Sequence, residues 1–151
     1  MKVLFVCTGN TCRSCMAEAI FNNNCNIDNI QAFSAGISIV PGSVASVNSA
    51  GVVERKLGGD IYKRAAVQLT EEMISEADII LTMTSTIRDI LHSYFEKYRG
   101  KIFSLNEYVG EEGDIIDPYG SNLTVYEKTY EELSVRLESL LLKLKEDKGI
   151  N

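Results

Sequence analysis

A chain of 151 residues that is 45% hydrophobic can bury one full core, and its length asks for a single domain over residues 1–151. A formal charge of −6 argues against a nucleic-acid or anionic-membrane partner, because such affinities come largely from Lys and Arg neutralising phosphates, so any anion site has to be local. No 18-residue apolar run is present to span a bilayer, and Met1 leads into an apolar strand without a signal peptide's charged leader, so a soluble cytoplasmic protein is expected.

The first element is the apolar strand Val3-Leu4-Phe5-Val6. It runs through Cys7-Thr8-Gly9-Asn10-Thr11-Cys12-Arg13-Ser14 into a predicted helix over 14–21, where Ala17, Ile20 and Phe21 make one apolar stripe. A short loop between a buried strand and a helix N-terminus can turn its backbone N–H groups, those of Thr8 to Ser14, onto an anion while Cys7 faces it. Cysteine attacks as the thiolate, which a helix N-terminus and a neighbouring guanidinium favour. The Arg13 fork can hold two phosphate oxygens and stabilise a five-coordinate phosphorus, while Ser14 can donate to the sulfur and improve it as a leaving group. Glu18, early in the helix, reads as a solvated charge compatible with the dipole, and the polar run Asn22 to Asn24 ends the helix.

Ile30 to Phe33 alternates apolar and polar and is a predicted second strand ended by Ser34-Ala35-Gly36. Pro41-Gly42 marks a turn, 44–57 reads as a helix stopped by Gly58-Gly59, and Thr70-Glu71-Glu72 is a helix cap with an acidic first turn. Residues 78–83 form a buried strand, 86–94 a helix and 101–103 a further strand, with His92 read as a surface or helix-packing residue. Residues 106–113 read as a loop or short helix leading to Asp117-Pro118-Tyr119-Gly120. Residues 122–148 then carry Tyr126, Tyr130, Leu133, Leu137, Leu140, Leu141 and Leu144 at helical spacing, with Thr124 and Glu127 at capping-box distance. Strands alternating with helices predict an α/β fold: a four-stranded parallel sheet with helices on both faces, and Cys7 at the carboxyl end of the first strand, where such sheets bind ligands.

Val6-Cys7-Thr8-Gly9-Asn10-Thr11-Cys12-Arg13-Ser14 with Met16-Ala17-Glu18 resembles the phosphate-binding loop of the low-molecular-weight protein tyrosine phosphatase family, and Ser34-Ala35-Gly36 and Asp117-Pro118-Tyr119-Gly120 match its two other signatures in order. The resemblance covers nearly the whole chain. It implies a metal-independent, cofactor-free protein phosphatase in which Cys7 forms a phosphocysteine. Thr8 to Ser14 then bind phosphate, and Asp117 serves as acid and then base. Ser34 holds Asn10 in a strained conformation, and Tyr119 forms a substrate wall. Thr11 and the single aromatic after Asp117-Pro118 resemble the bacterial protein arginine phosphatase branch. Phosphoarginine in proteins is therefore the expected substrate, phosphotyrosine the alternative and inorganic phosphate the product. Cys15 stands where the family generally has Pro, and Asn48 where many members have a loop-supporting His.

Four cysteines within the first 25 residues cannot staple the remainder, which fits a reducing compartment. Cys12, five residues from Cys7 across a curled loop, is expected to form a reversible disulfide with it under oxidant. Cys7-x4-Cys12-x2-Cys15 with Cys25 also fits an iron–sulfur ligand spacing, but a cluster leaves Arg13 and Ser14 unexplained. A thiol reductase of the arsenate-reductase kind needs a late resolving cysteine pair, and no cysteine follows Cys25.

Overall fold

The computed structural model describes residues 1–149. Four strands, β1 (Lys2–Cys7), β2 (Gln31–Gly36), β3 (Ile79–Thr82) and β4 (Ile102–Ser104), form one parallel sheet in the order β2-β1-β3-β4. Val3 to Cys7 are all buried, as a central parallel strand covered on both faces requires. Alternation along β1 sends Val3 and Phe5 to one layer with α1 (Arg13–Asn24), α2 (Val47–Leu57) and α6 (Leu123–Asp147). Leu4 and Val6 face the other layer, with α3 (Glu71–Glu76) and α4 (Ser85–Tyr94). Leu133, Leu137, Leu140, Leu141 and Leu144 of α6 are core, as their spacing predicts. No helix among the described residues is long and apolar enough to cross a membrane.

The chain leaves β1 for β2 on one side and later returns to β3 on the other, so the strand order reverses at the carboxyl end of β1. That reversal opens a crevice just where the Cys7 loop begins.

Several boundaries differ from the predicted ones, each for a local reason. β2 runs through Ser34-Ala35-Gly36 instead of ending there, because Gly36 pairs with Cys7 and its N–H donates to Val67 O. A Cβ on Gly36 would meet Thr8 O at 2.6 Å, so only glycine lets the loop lie against this strand end. α2 begins at Val47, since Val44 bridges Ala65 and the Ser46 side chain accepts from Ser49 N. Thr124 and Glu127 form no capping box: Asn122 caps α6 by accepting from Val125 N, and Glu127 pairs with Arg55. The box occurs instead at Ser104 and Glu107, which start α5 (Leu105–Tyr108). Asn22 does more than end α1; its side-chain amide donates to Ala32 O and accepts from Ala32 N, occupying the free edge of β2. His92 packs its helix onto β4 through Nε2 and Ile102 O, 2.8 Å apart.

Candidate active site

The loop after β1 closes around the Cys7 sulfur. Ser14 Oγ lies 2.8 Å from Cys7 Sγ, and the Asn10 N–H donates to the same sulfur at 3.3 Å. Asn10 Nδ2 donates to Ser14 Oγ at 2.7 Å, which leaves the single hydroxyl proton of Ser14 for Cys7. Ser14 is wholly buried behind Cys7 and does not line the cavity, so it touches the sulfur rather than the phosphate space assigned to it from sequence. Gly9, Thr11 and Cys12 N–H have no protein acceptor among the described residues, the condition of orphan donors ahead of a helix.

Asn10 is held at φ 58°, one of two non-glycine residues with positive φ among the described residues. A buried polar cluster holds it there. Asn10 Nδ2 donates to Ser34 Oγ at 3.0 Å, and Asn10 Oδ1 accepts from Val67 N and from Arg64 Nη1, both at 2.9 Å. Arg64 also donates to Ser34 Oγ at 2.6 Å and pairs with Glu18, Nε to Oε2 3.2 Å, while Ser34 Oγ donates to Glu18 Oε1 at 3.1 Å. Glu18 is thus no solvated helix charge; it is the counterion of Arg64. No hydrogen bond from Asn48 to the loop occurs among the described residues, and Arg64 occupies the supporting place expected of it. Arg64 carries no sequence signal, because it reaches the cluster only once 64–66 pairs with 43–45 and 67–69 bonds to Gly36 at the end of β2.

The cluster has a testable weight. Arg64→Met leaves Asn10 Oδ1 one donor short and Glu18 without its cation, a loss of about 1–3 kcal/mol for a partly buried pair. Melting is expected a few degrees lower, with kcat/KM reduced about tenfold as Asn10 relaxes, and Arg64→Lys should not restore it because a point charge cannot replace the fork. Unchanged melting and unchanged kinetics in Arg64→Met would dismiss the support role.

The loop residues Cys7 to Arg13 line one cavity of about 490 Å³ together with Val40, Val44, Asp117 and Tyr119. Arg13, the first residue of α1, is buried; its Nη1 donates to Ile115 O at 3.1 Å, and its Nη2 faces Asp117 Oδ2 at 3.5 Å. Ile115 N donates to Met83 O, which ties this contact to the end of β3. Asp117 Oδ1 accepts from Tyr119 N at 3.0 Å, so the carboxylate shapes its own turn with one oxygen and faces Arg13 with the other. The turn closes with Ser121 N on Pro118 O and Gly120 at φ 76°, leaving Tyr119 exposed at the mouth. Cys12 Sγ lies 3.4 Å from the Tyr126 hydroxyl; burial, and the thiol beside it, push that phenol up to about 12.

All four cysteines are free and point to different partners: Cys7 to Ser14, Cys12 to Tyr126, Cys15 to the Cys12 carbonyl and Cys25 to the Ile27 carbonyl. Among the described residues no three Cys, His, Asp or Glu side chains group to hold a metal ion, which gives the iron–sulfur spacing no structural support.

A thiol, an amide-rich loop, a buried guanidinium and a carboxylate thus surround one cavity. The model of the low molecular weight phosphotyrosine protein phosphatase family matches residues 2–149. The chain belongs to that family. It is 38% identical to the protein-arginine-phosphatase of Bacillus subtilis (strain 168), over 98% of this chain and 99% of the relative. The crystal structure of a low molecular weight protein tyrosine phosphatase from T. tengcongensis superposes with TM-score 0.91 at 45% identity, covering 95% of this chain and 99% of that one. A mutant of the YwlE arginine phosphatase, with a phosphorylated active-site serine in place of cysteine, superposes with TM-score 0.91 at 37% identity over the full length of both chains. The family's phosphate hydrolases thus include proteins named for arginine and for tyrosine.

Proposed function

We propose that this phosphatase hydrolyses protein phosphoarginine, in a reducing cytosol, through a phosphocysteine on Cys7. Cys7 Sγ attacks phosphorus in line with the leaving nitrogen. The unpaired loop amides and Arg13 hold the phosphoryl oxygens, and Arg13 exchanges its contact with Asp117 for the incoming charge. Asp117 then protonates the leaving group and later takes the proton of the attacking water, while Ser14 stabilises the sulfur as it departs with inorganic phosphate as product. The relative whose active-site serine is found phosphorylated supports attack by the residue at the head of this loop.

The observation that carries the arginine reading is the place of Thr11. Thr11 lines the cavity shared by Cys7 and Asp117, and its Oγ1 lies 3.7 Å from Cys12 Sγ, which supports reading a hydroxyl rather than aliphatic bulk beside the leaving group and the second-step water. A planar, hydrogen-bonding guanidinium leaving group gains from a polar neighbour, and Asp117 offers it a charge-assisted bond. An aryl ester relies more on apolar contact, for which Tyr119 stands at the mouth.

Thr11→Ile should therefore lower kcat/KM for a phosphoarginine peptide and raise it for the matching phosphotyrosine peptide, shifting their ratio about 10- to 200-fold, the range of one such contact. Both assays are run with chelator present, and full loss of activity under chelation would contradict the metal-independent mechanism. A ratio that stays constant in Thr11→Ile would return the assignment to phosphotyrosine.

A further inference from the structure

Cys12 and Cys15 bracket the start of α1 in a Cys-Arg-Ser-Cys run, with Cys12 as the cap residue and Cys15 in the first turn. Helix geometry puts Cα atoms three residues apart at about 5 Å, inside the ~4.4–6.8 Å that a disulfide spans. Side chains lean toward the N-terminus of a helix, and Cys15 Sγ accordingly donates to the Cys12 carbonyl at 3.1 Å. Cys15 has no exposed surface, whereas Cys12 lines the same cavity as Cys7. Of the two, Cys12 is thus the one open to an oxidant that enters the cavity. Two cysteines with two residues between them at a helix start are also the arrangement of dithiol redox centres.

We propose that Cys12 and Cys15 form a second redox-active dithiol, which takes over the oxidation that Cys7 suffers from peroxide and returns Cys7 to the thiolate. The Cys7 thiolate attacks hydrogen peroxide: an S–O bond forms, the O–O bond breaks and hydroxide leaves. Cys12 attacks the resulting sulfenic sulfur, so that the Cys7–Cys12 bond forms and the S–O bond breaks with loss of water. Cys15 then attacks Cys12 Sγ; the Cys12–Cys15 bond forms, the Cys7–Cys12 bond breaks and its electron pair goes to Cys7. The proton of Cys15 neutralises the hydroxide of the first step. In sum one peroxide becomes two waters and two thiols become one disulfide.

The last exchange is favoured by its leaving group, since Ser14 and the Asn10 amide stabilise the departing Cys7 sulfur. Burial pushes the Cys15 thiol up, so this exchange follows the second step slowly enough for the two disulfides to be separated in time. The proposal rests on the phosphatase reading in one respect, that Cys7 is the thiolate which peroxide meets first.

Peptide mapping tests it. Trypsin cuts after Lys2 and Arg13, so Cys7 and Cys12 lie together in peptide 3–13, while Cys15 and Cys25 lie in peptide 14–55. In a Cys25→Ser background, one equivalent of hydrogen peroxide should first give peptide 3–13 with an internal bridge. This should then decay into a 3–13 to 14–55 cross-link whose fragments assign Cys12–Cys15, while alkylation of Cys7 recovers severalfold. Cys15→Ala, and Cys15→Pro, which a first helical turn tolerates, should both stop at the internal bridge. Persistence of the internal bridge with Cys15 still alkylatable after unfolding, or a cross-link assigned to Cys7–Cys15, overturns the relay and leaves the phosphatase reading intact. No peroxide-dependent change at Cys7 overturns the relay and also removes support for Cys7 as the nucleophile.

Discussion

Cys7→Ser is expected to lose turnover by roughly 10⁴-fold or more, the scale of nucleophile removal in covalent catalysis, while the protein remains folded. The argument is local. The sulfur is held by Ser14 Oγ and the Asn10 amide, and a hydroxyl can accept the same two bonds, so the loop has no reason to open. What changes is chemistry: an alkoxide is far harder to form at working pH than a thiolate, so attack slows, and a serine ester releases its phosphate less readily than a phosphocysteine does. Any phosphoryl group that is transferred should therefore accumulate on the substituted residue, as the phosphorylated serine of the related YwlE variant illustrates. Steady-state assays on a phosphoarginine peptide, thermal melting, and intact mass after incubation with a phosphoryl donor check all three parts. Near wild-type turnover in the variant would eliminate the phosphocysteine route.

Asp117→Asn is expected to slow the first half-reaction on a phosphoarginine peptide by about 10²–10⁴-fold, the usual range for a general acid, and on an aryl phosphate with a good leaving group far less. Asparagine keeps an oxygen for the Tyr119 N–H, so the turn survives, but it has no proton to give the leaving atom. It also removes the charge that faces Arg13 at 3.5 Å, which should, if anything, ease phosphate entry and lower KM. Pre-steady-state release of the leaving group isolates the step, since the second half-reaction loses its base for every substrate alike. Equal slowing of the burst on both substrates would mean that Asp117 is not the acid.

The order strand, loop, helix around Cys7 was legible because it rests on neighbouring residues. An apolar run long enough for one central strand, a loop with its thiol and arginine, and apolar residues at helical spacing after it need no distant partner to be recognised. The same holds for the α6 leucine stripe and for the four-stranded parallel sheet, since alternation of strands and helices leaves few other layer arrangements.

What only the tertiary structure decided lies in contacts between residues far apart in the chain. Arg64 reaches Asn10 across 54 positions and Glu18 across 46, and no pattern in the sequence links them. Asp117 became a partner of Arg13 because Ile115 is tied to β3 and accepts from the same guanidinium, a contact that no local pattern around Asp117-Pro118 announces. Gly36 shows the limit most plainly. Its motif was visible, but the need for glycine follows from Thr8 O lying 2.6 Å from where a Cβ would stand, a distance set only once β1 and β2 pair and bring the loop onto the strand end. Local chemistry thus named the candidate groups, and long-range packing determined how they are held and aimed, because a side chain's periodicity reports which face it occupies and not which residue it will meet there.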